Sequence, residues 1–204
     1  MTHSLHRRGT AESLSEDYIV LCLPAIDFND KGHDPKLLEF LRIALRHSPV
    51  NIGAISLGNM YSHKTEEVVK AAHGIVHAVF VKKEQVIDTL KELEKANLGM
   101  SVVVSGIFEK VDECLEKVGL KHHTANFSLG IWGRTEKLPD NNILEVTTMC
   151  GHAMVSANLV KAMVEDIKAK RKTADEAAKV LAPQCACGIF NPARAAKLLA
   201  AMAK

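Results

Sequence analysis

The chain has 204 residues, of which 47% are hydrophobic and 25% are charged, the composition of an ordinary globular domain. Lysine and arginine number 26 against 24 acidic residues, and this balance argues against nucleic acid as a partner. No apolar run approaches the ~20 residues that span a membrane, so we expect no membrane association.

Residues 1–17 are polar and lack the apolar segment of a secretory signal, which predicts a flexible N-terminal leader. From residue 18 onward, strand-like and helix-like segments alternate, as is typical of α/β domains. Buried strands are predicted at 18–26, 50–57, 76–81 and 100–107. Amphipathic helices are predicted after them at 34–47, 65–74, 84–97 and 109–120.

Two further strands are predicted before the chain becomes entirely helical. In residues 124–131, TANFSLGI, apolar residues alternate with small or polar ones, which indicates a half-exposed strand near an edge. Residues 142–150 form a sixth candidate strand. We therefore expect an α/β core over residues 18–150, with a mainly parallel or mixed sheet of five to six strands covered by helices. A ferredoxin-like α+β arrangement is the alternative, because 124–131 alternates and some links are short.

Residues 151–204 are predicted to form a C-terminal helical segment that carries the second half of a cysteine site. Its helices are expected at 156–170, 173–181 and 191–203. Thr173 and Glu176 have the spacing of a capping box, and Asn191 followed by Pro192 is a typical helix start.

Three of the five cysteines stand before predicted helices: Cys150 in TTMCGH, and Cys185 and Cys187 in CACGIFNPARA. Helix N-termini carry partial positive charge and favour the thiolate form, which binds metals. Gly151 and Gly188 would let backbone N–H groups approach the sulfurs. Three thiolates suit a [4Fe–4S] cluster whose fourth iron is open to a small substrate or a redox role. An enzyme of this kind would be an iron–sulfur-dependent lyase or oxidoreductase.

Two other interpretations stay open. Together with His152, the three cysteines make the Cys3His set of a structural Zn²⁺ site, which would belong to a binding or assembly module. Alternatively, Cys150 could act as a nucleophile with His152 as its base, in a thiol-dependent enzyme. Anaerobic metal analysis separates these three interpretations.

The remaining two cysteines are predicted to be core residues. Cys114 lies on the apolar stripe of its helix. Cys22 lies near the end of the first strand and is kept as a candidate fourth ligand, beside His152 or an open position. Because the cysteine count is odd and the spacing does not suggest disulfides, we expect reduced thiols and a cytoplasmic protein.

Loops at the carboxyl ends of the predicted strands hold the other site candidates, because ligands collect there in parallel sheets. The predicted catalytic residues are His152 and Arg134. The predicted substrate-binding residues are Trp132, Asn59, Tyr61 and His63. The expected partner is a small-molecule substrate or a redox protein, and a homo-oligomer is left open. His73 and His77, which flank the third strand, are predicted to be surface or structural residues.

Overall fold

The structure, a computed structural model, describes residues 3–204 and contains a five-stranded sheet. Its strands are β1 (Tyr18–Leu23), β2 (Asn51–Ala54), β3 (Gly58–Asn59), β4 (Val76–Phe80) and β5 (Ser101–Ser105). They lie in the order β3-β2-β4-β1-β5, and every neighbouring pair is antiparallel. The prediction of a mainly parallel or mixed sheet is therefore wrong.

The reason lies in how the strands interleave. β1 and β2 run parallel to each other, but β4 lies between them and pairs antiparallel with both. β4 and β5 also run parallel, with β1 between them. Each helix-linked pair is thus a split β-α-β unit. Because split and unsplit units show the same alternation of strand and helix along the chain, that alternation could not distinguish them.

Nine α-helices and four short 3-10 turns occur in residues 3–204. The helices are α1 (Ala11–Leu14), α2 (Asp34–Arg46), α3 (Thr65–Lys70), α4 (Lys83–Ala96), α5 (Phe108–Val118), α6 (Asn141–Thr147), α7 (Ala157–Lys168), α8 (Ala174–Leu181) and α9 (Pro192–Met202). The 3-10 turns are His3–Leu5, Thr135–Lys137, Thr148–Cys150 and Ala182–Gln184. The capping box of Thr173 and Glu176 and the cap by Asn191 are confirmed.

The last two predicted strands are not strands in this structure. Residues 124–131 run through an exposed irregular segment. Residues 142–150 form most of α6 and the 3-10 turn after it. Ile143, Leu144 and Val146 are buried there, at the spacing of one helical face. The apolar run was too short for its periodicity to distinguish a strand from a helix.

The sheet separates two packed layers, because alternate side chains point to opposite faces. One face, which includes Val20 and Ala78, packs on α2 to α5. The other face, which includes Ile19 and Val79, packs on the C-terminal helices α6 to α9. In an antiparallel sheet the carboxyl ends of strands alternate between two edges, so the single working edge expected from sequence does not exist.

Residues 3–17, predicted as a flexible leader, pack against the C-terminal segment. The Arg8 backbone N–H donates to Thr148 Oγ1 over 3.0 Å. The side-chain amide of Asn191 donates to the Glu16 carbonyl over 3.0 Å and to Asp17 Oδ1 over 2.8 Å. The N-terminal residues therefore help to fix the start of α9. None of the helices between residues 3 and 204 combines the length and the apolar composition that a membrane crossing requires.

Candidate metal centre

Cys150, Cys185 and Cys187 meet beneath the C-terminal helices and form a buried thiol triangle. The sulfurs of Cys185 and Cys187 are 3.8 Å apart, and the thiols of Cys150 and Cys185 are hydrogen-bonded. Even the most exposed of the three, Cys187, has only 4% of its surface open to solvent.

The cysteines lie in loops rather than at helix starts, contrary to the sequence prediction. Cys150 ends a 3-10 turn, and α7 begins only at Ala157. Cys185 follows the 3-10 turn Ala182–Gln184, and α9 begins only at Pro192. Helix N-termini therefore do not supply the groups that stabilise thiolates here.

Backbone N–H groups of the two loops face the sulfurs instead. The donors are His152 and Met154 for Cys150, Phe190 for Cys185, and Ile189 for Cys187. Gly151 and Gly188 adopt positive φ angles of 72° and 79°, which turn the chain back over the sulfurs. Convergent N–H groups of this kind form concave sites for anions and tune thiolate-bound iron clusters.

The hydrogen bonds between the thiols separate their pKa values. The bond from Cys185 lowers the pKa of Cys187 below its ordinary value, although burial opposes this. The bond from Cys150 lowers the pKa of Cys185, but the bond to Cys187 and burial outweigh it and raise that pKa to about 12. The pKa of Cys150 is raised strongly, first by its bond to Cys185 and then by burial. A bound cation would have to displace the protons of Cys150 and Cys185.

Buried asparagines on the sheet hold the loop of residues 185–191, which we call the cysteine loop. The Asn59 amide nitrogen donates to the carbonyls of Ala182 and Cys185, over 3.0 and 2.7 Å. The Asn51 amide nitrogen donates to the Phe190 carbonyl over 2.9 Å. Asn59, predicted to bind substrate, is fully buried and instead fixes the backbone beside a cysteine.

Two glycines allow the cysteine loop to lie directly on β2. A Cβ atom on Gly53 would lie 2.2 Å from the Cys187 carbonyl oxygen and 2.7 Å from the Gly188 Cα. A Cβ on Gly188 would lie 2.6 Å from the Gly53 Cα. The two backbones thus touch at a point where no side chain fits.

We expect Gly53→Ala to destabilise the protein by about 1–3 kcal/mol, because the new methyl group meets backbone atoms rather than a movable side chain. The cysteine loop must shift, so metal loading should fall as well. Urea unfolding measures the first effect. Gly106→Ala is the matched control: its Cβ would first meet the Val111 side chain, at 3.1 Å. Equal stability of the two variants would contradict the close approach.

Tyr61 and His63 make local contacts at the β3 end of the sheet. The Tyr61 hydroxyl donates to the Val50 carbonyl over 3.0 Å, and burial raises the pKa of this hydroxyl. His63 Nδ1 lies 2.9 Å from Ser62 Oγ. These two predicted substrate-binding residues therefore form hydrogen bonds with nearby residues of the same chain.

Trp132, Arg134 and His152 have exposed side chains. Trp132 is 81% exposed, and its indole N–H donates to the Leu129 carbonyl in the same loop over 3.0 Å. Arg134 lies just before the turn Thr135–Lys137. Only His152 is tied to the thiol triangle, because its backbone N–H faces Cys150.

The sheet separates Cys22 from the triangle and places His77 on the triangle's side. Cys22 packs with α2 to α5 on the opposite face, which rules it out as the fourth ligand. His77 is fully buried and lies opposite Gly53 in the register, so it projects from the face that the cysteine loop covers. His77, predicted to be a surface or structural residue, is thus a buried residue on the thiol side of the sheet.

No protein-family model matches the chain, and neither a curated protein nor a solved structure matches it. The chemistry of the site itself therefore carries the functional conclusion.

Proposed function

We propose that this protein is a cytoplasmic iron–sulfur protein that binds a [4Fe–4S] cluster through Cys150, Cys185 and Cys187. The observation that carries this proposal is the convergence of three buried thiols from two loops that are distant in sequence. Backbone N–H groups face each of the three sulfurs. Cysteine thiolates are the usual ligands of such clusters, and N–H groups near their sulfurs set the reduction potential. All five cysteines of the chain are free, which fits a reducing compartment.

The position of His152 favours a cluster over the zinc alternative, because the Cys3His set needs its ring while its side chain is exposed and the three thiols are buried. One tetrahedral Zn²⁺ with Zn–S bonds of about 2.3 Å would hold every pair of sulfurs about 3.8 Å apart. The Cys185–Cys187 pair has this spacing, at 3.8 Å. In a cluster each thiolate binds a different iron, so the sulfurs of Cys185 and Cys187 would move apart when the cluster binds.

Burial weighs against the thiol-enzyme alternative. A nucleophilic cysteine needs an accessible thiolate. Cys150 is 1% exposed, and its pKa is raised by the bond to Cys185 and by burial. The exposed side chain of His152 does not change this, because substrate would still have to reach a buried sulfur.

The loop after Cys150 gives the cluster its route to solvent. Residues 152–154 are exposed, while the thiols behind them are buried. We assign the open iron to this side, where a small substrate or a redox partner would approach beside His152. His77 bounds the site from the sheet.

Anaerobic reconstitution of the purified chain with ferrous iron and sulfide tests the proposal. We expect a brown protein with broad visible absorption and about four iron atoms per chain, which bleaches in air. A colourless protein that holds one zinc would replace the cluster by the Cys3His module. A colourless protein without bound metal would overturn both metal sites.

A further inference from the structure

A second group of potential metal ligands lies on the other layer of the molecule. His33 and Asp34 stand at the start of α2, and His73 lies in the turn before β4. Their ligand atoms all lie within 4.8 Å of one another. His33 Nε2 is 3.3 Å from Asp34 Oδ1, and His73 Nδ1 is 2.8 Å from the same oxygen.

The His33 ring is held with one nitrogen ready to accept a metal. Its Nδ1 lies 2.6 Å from the Asp30 carbonyl, so this nitrogen carries the proton. Its Nε2 carries the lone pair and accepts a long hydrogen bond of 3.3 Å from the Gly74 backbone N–H, which a metal ion would displace. The side chain is only 10% exposed. A histidine that donates its other N–H to a backbone carbonyl is the usual arrangement of a metal ligand.

The same Nε2 lies 3.3 Å from Asp34 Oδ1, so a cation bound between the two atoms would offset the repulsion between the ring lone pair and the carboxylate. Metal bonds of about 2.0–2.2 Å in a tetrahedron separate neighbouring ligand atoms by about 3.3–3.5 Å. The His33–Asp34 separation of 3.3 Å already has this value, and the hydrogen-bonded His73–Asp34 pair, 2.8 Å apart, would open by about 0.5 Å on binding. We infer that His33, Asp34 and His73 bind a divalent transition-metal ion of the Zn²⁺ class.

Three protein ligands leave one tetrahedral position open. Asp34 and His73 line a surface groove to which Arg42 and Lys70 also belong. These cations would favour a small anion, or water, as the fourth ligand. The site uses nitrogen and oxygen donors and stands in the layer of α2, on the opposite side of the sheet from the thiol triangle.

Another histidine of the chain provides the comparison. His122 Nδ1 lies 3.1 Å from Asp112 Oδ1, as in an ordinary exposed ion pair. Within residues 3–204, no third metal-ligating side chain joins that pair within 4.8 Å. The pair therefore serves as a matched control for a histidine–aspartate contact without a metal site.

Titration of the purified chain with Co²⁺ tests the site. Tetrahedral Co²⁺ with nitrogen and oxygen ligands gives visible bands without the intense near-ultraviolet bands of Co²⁺–thiolate, so the two sites are read separately. We expect one equivalent to produce the nitrogen–oxygen bands. His73→Ala and Asp34→Asn should weaken this binding at least about 100-fold, and His122→Ala should leave it unchanged.

Thermal unfolding gives a second readout, because a ligand that binds only the folded state raises Tm. Zn²⁺ should raise the Tm of the unmodified chain and of His122→Ala more than that of His73→Ala, in which the thiol triangle alone can bind it. His73 and Asp34 are exposed, so their variants should fold. Wild-type affinity in His73→Ala, or thiolate bands alone in the unmodified chain, would overturn the site and leave the iron–sulfur proposal untouched.

Discussion

Replacing Cys150, Cys185 or Cys187 singly by alanine is expected to abolish the brown chromophore and the bound iron after anaerobic reconstitution. Each thiol provides one of the three cysteine ligands, and none of the other described cysteines lies on this face of the sheet. Iron and sulfide content per folded chain, together with the visible spectrum, measure the effect.

Cys114→Ala is the matched control for this experiment. Cys114 is equally buried, but it packs in the layer of α2 to α5, and its sulfur contacts the Lys83 carbonyl at 3.9 Å. It should lose some stability, as any core truncation does, and keep full metal content. Circular dichroism before reconstitution separates loss of folding from loss of a ligand. Full iron content in any of the three site variants would contradict the shared centre.

The meeting of the three cysteines could be predicted from sequence, because two helices after Cys150 can return the chain to its starting point. α7 and α8 form this return, and α8 begins at the capping box that the sequence shows. Caps and amphipathic periodicity predict a helix reliably, because they stabilise that helix whatever it packs against. The prediction of the C-terminal helices was right for that reason.

The sheet could not be predicted in the same way. Pairing of β1 with β4 depends on contacts between residues far apart in sequence, and the apolar run of each strand is compatible with several neighbours. The positions of Asn59 and His77 could not be predicted for the same reason, since both depend on which strands pair. Asn59 looked like a polar loop residue, although its amide is buried against the cysteine loop, and His77 looked like a structural histidine.

The contact of the N-terminal residues with α9 could not be predicted either. This contact holds the start of α9, which directly follows the cysteine loop. Arg194 is 2% exposed. Its NH1 donates to Asp17 Oδ2 over 2.8 Å, its Nε to Ser13 Oγ over 2.8 Å, and its NH2 to the Arg8 carbonyl over 2.6 Å. Asp17 also forms an ion pair with Arg7. The guanidinium therefore joins three separate points of the N-terminal segment to the first turn of α9.

We expect Arg194→Met to lower the free energy of unfolding by about 3–5 kcal/mol, because it removes one partner of a buried ion pair and leaves its hydrogen-bond acceptors without a donor. Urea unfolding measures this loss. Lys197→Met is the matched control on the same helix: Lys197 is exposed and pairs with Glu16 at the surface, so its loss should change stability little.

A double variant distinguishes lost charge pairing from lost packing. Asp17→Asn in the Arg194→Met background removes a carboxylate that has lost one of its partners and keeps Arg7 and Asn191, so the double variant should be less destabilised than the sum of the two single changes. Strict additivity would assign the cost of Arg194→Met to packing of the long side chain alone. If Arg194→Met were no more destabilising than Lys197→Met, the N-terminal segment would not hold α9, and the cysteine loop would have to be positioned by the contacts of Asn51, Asn59 and Gly53 alone.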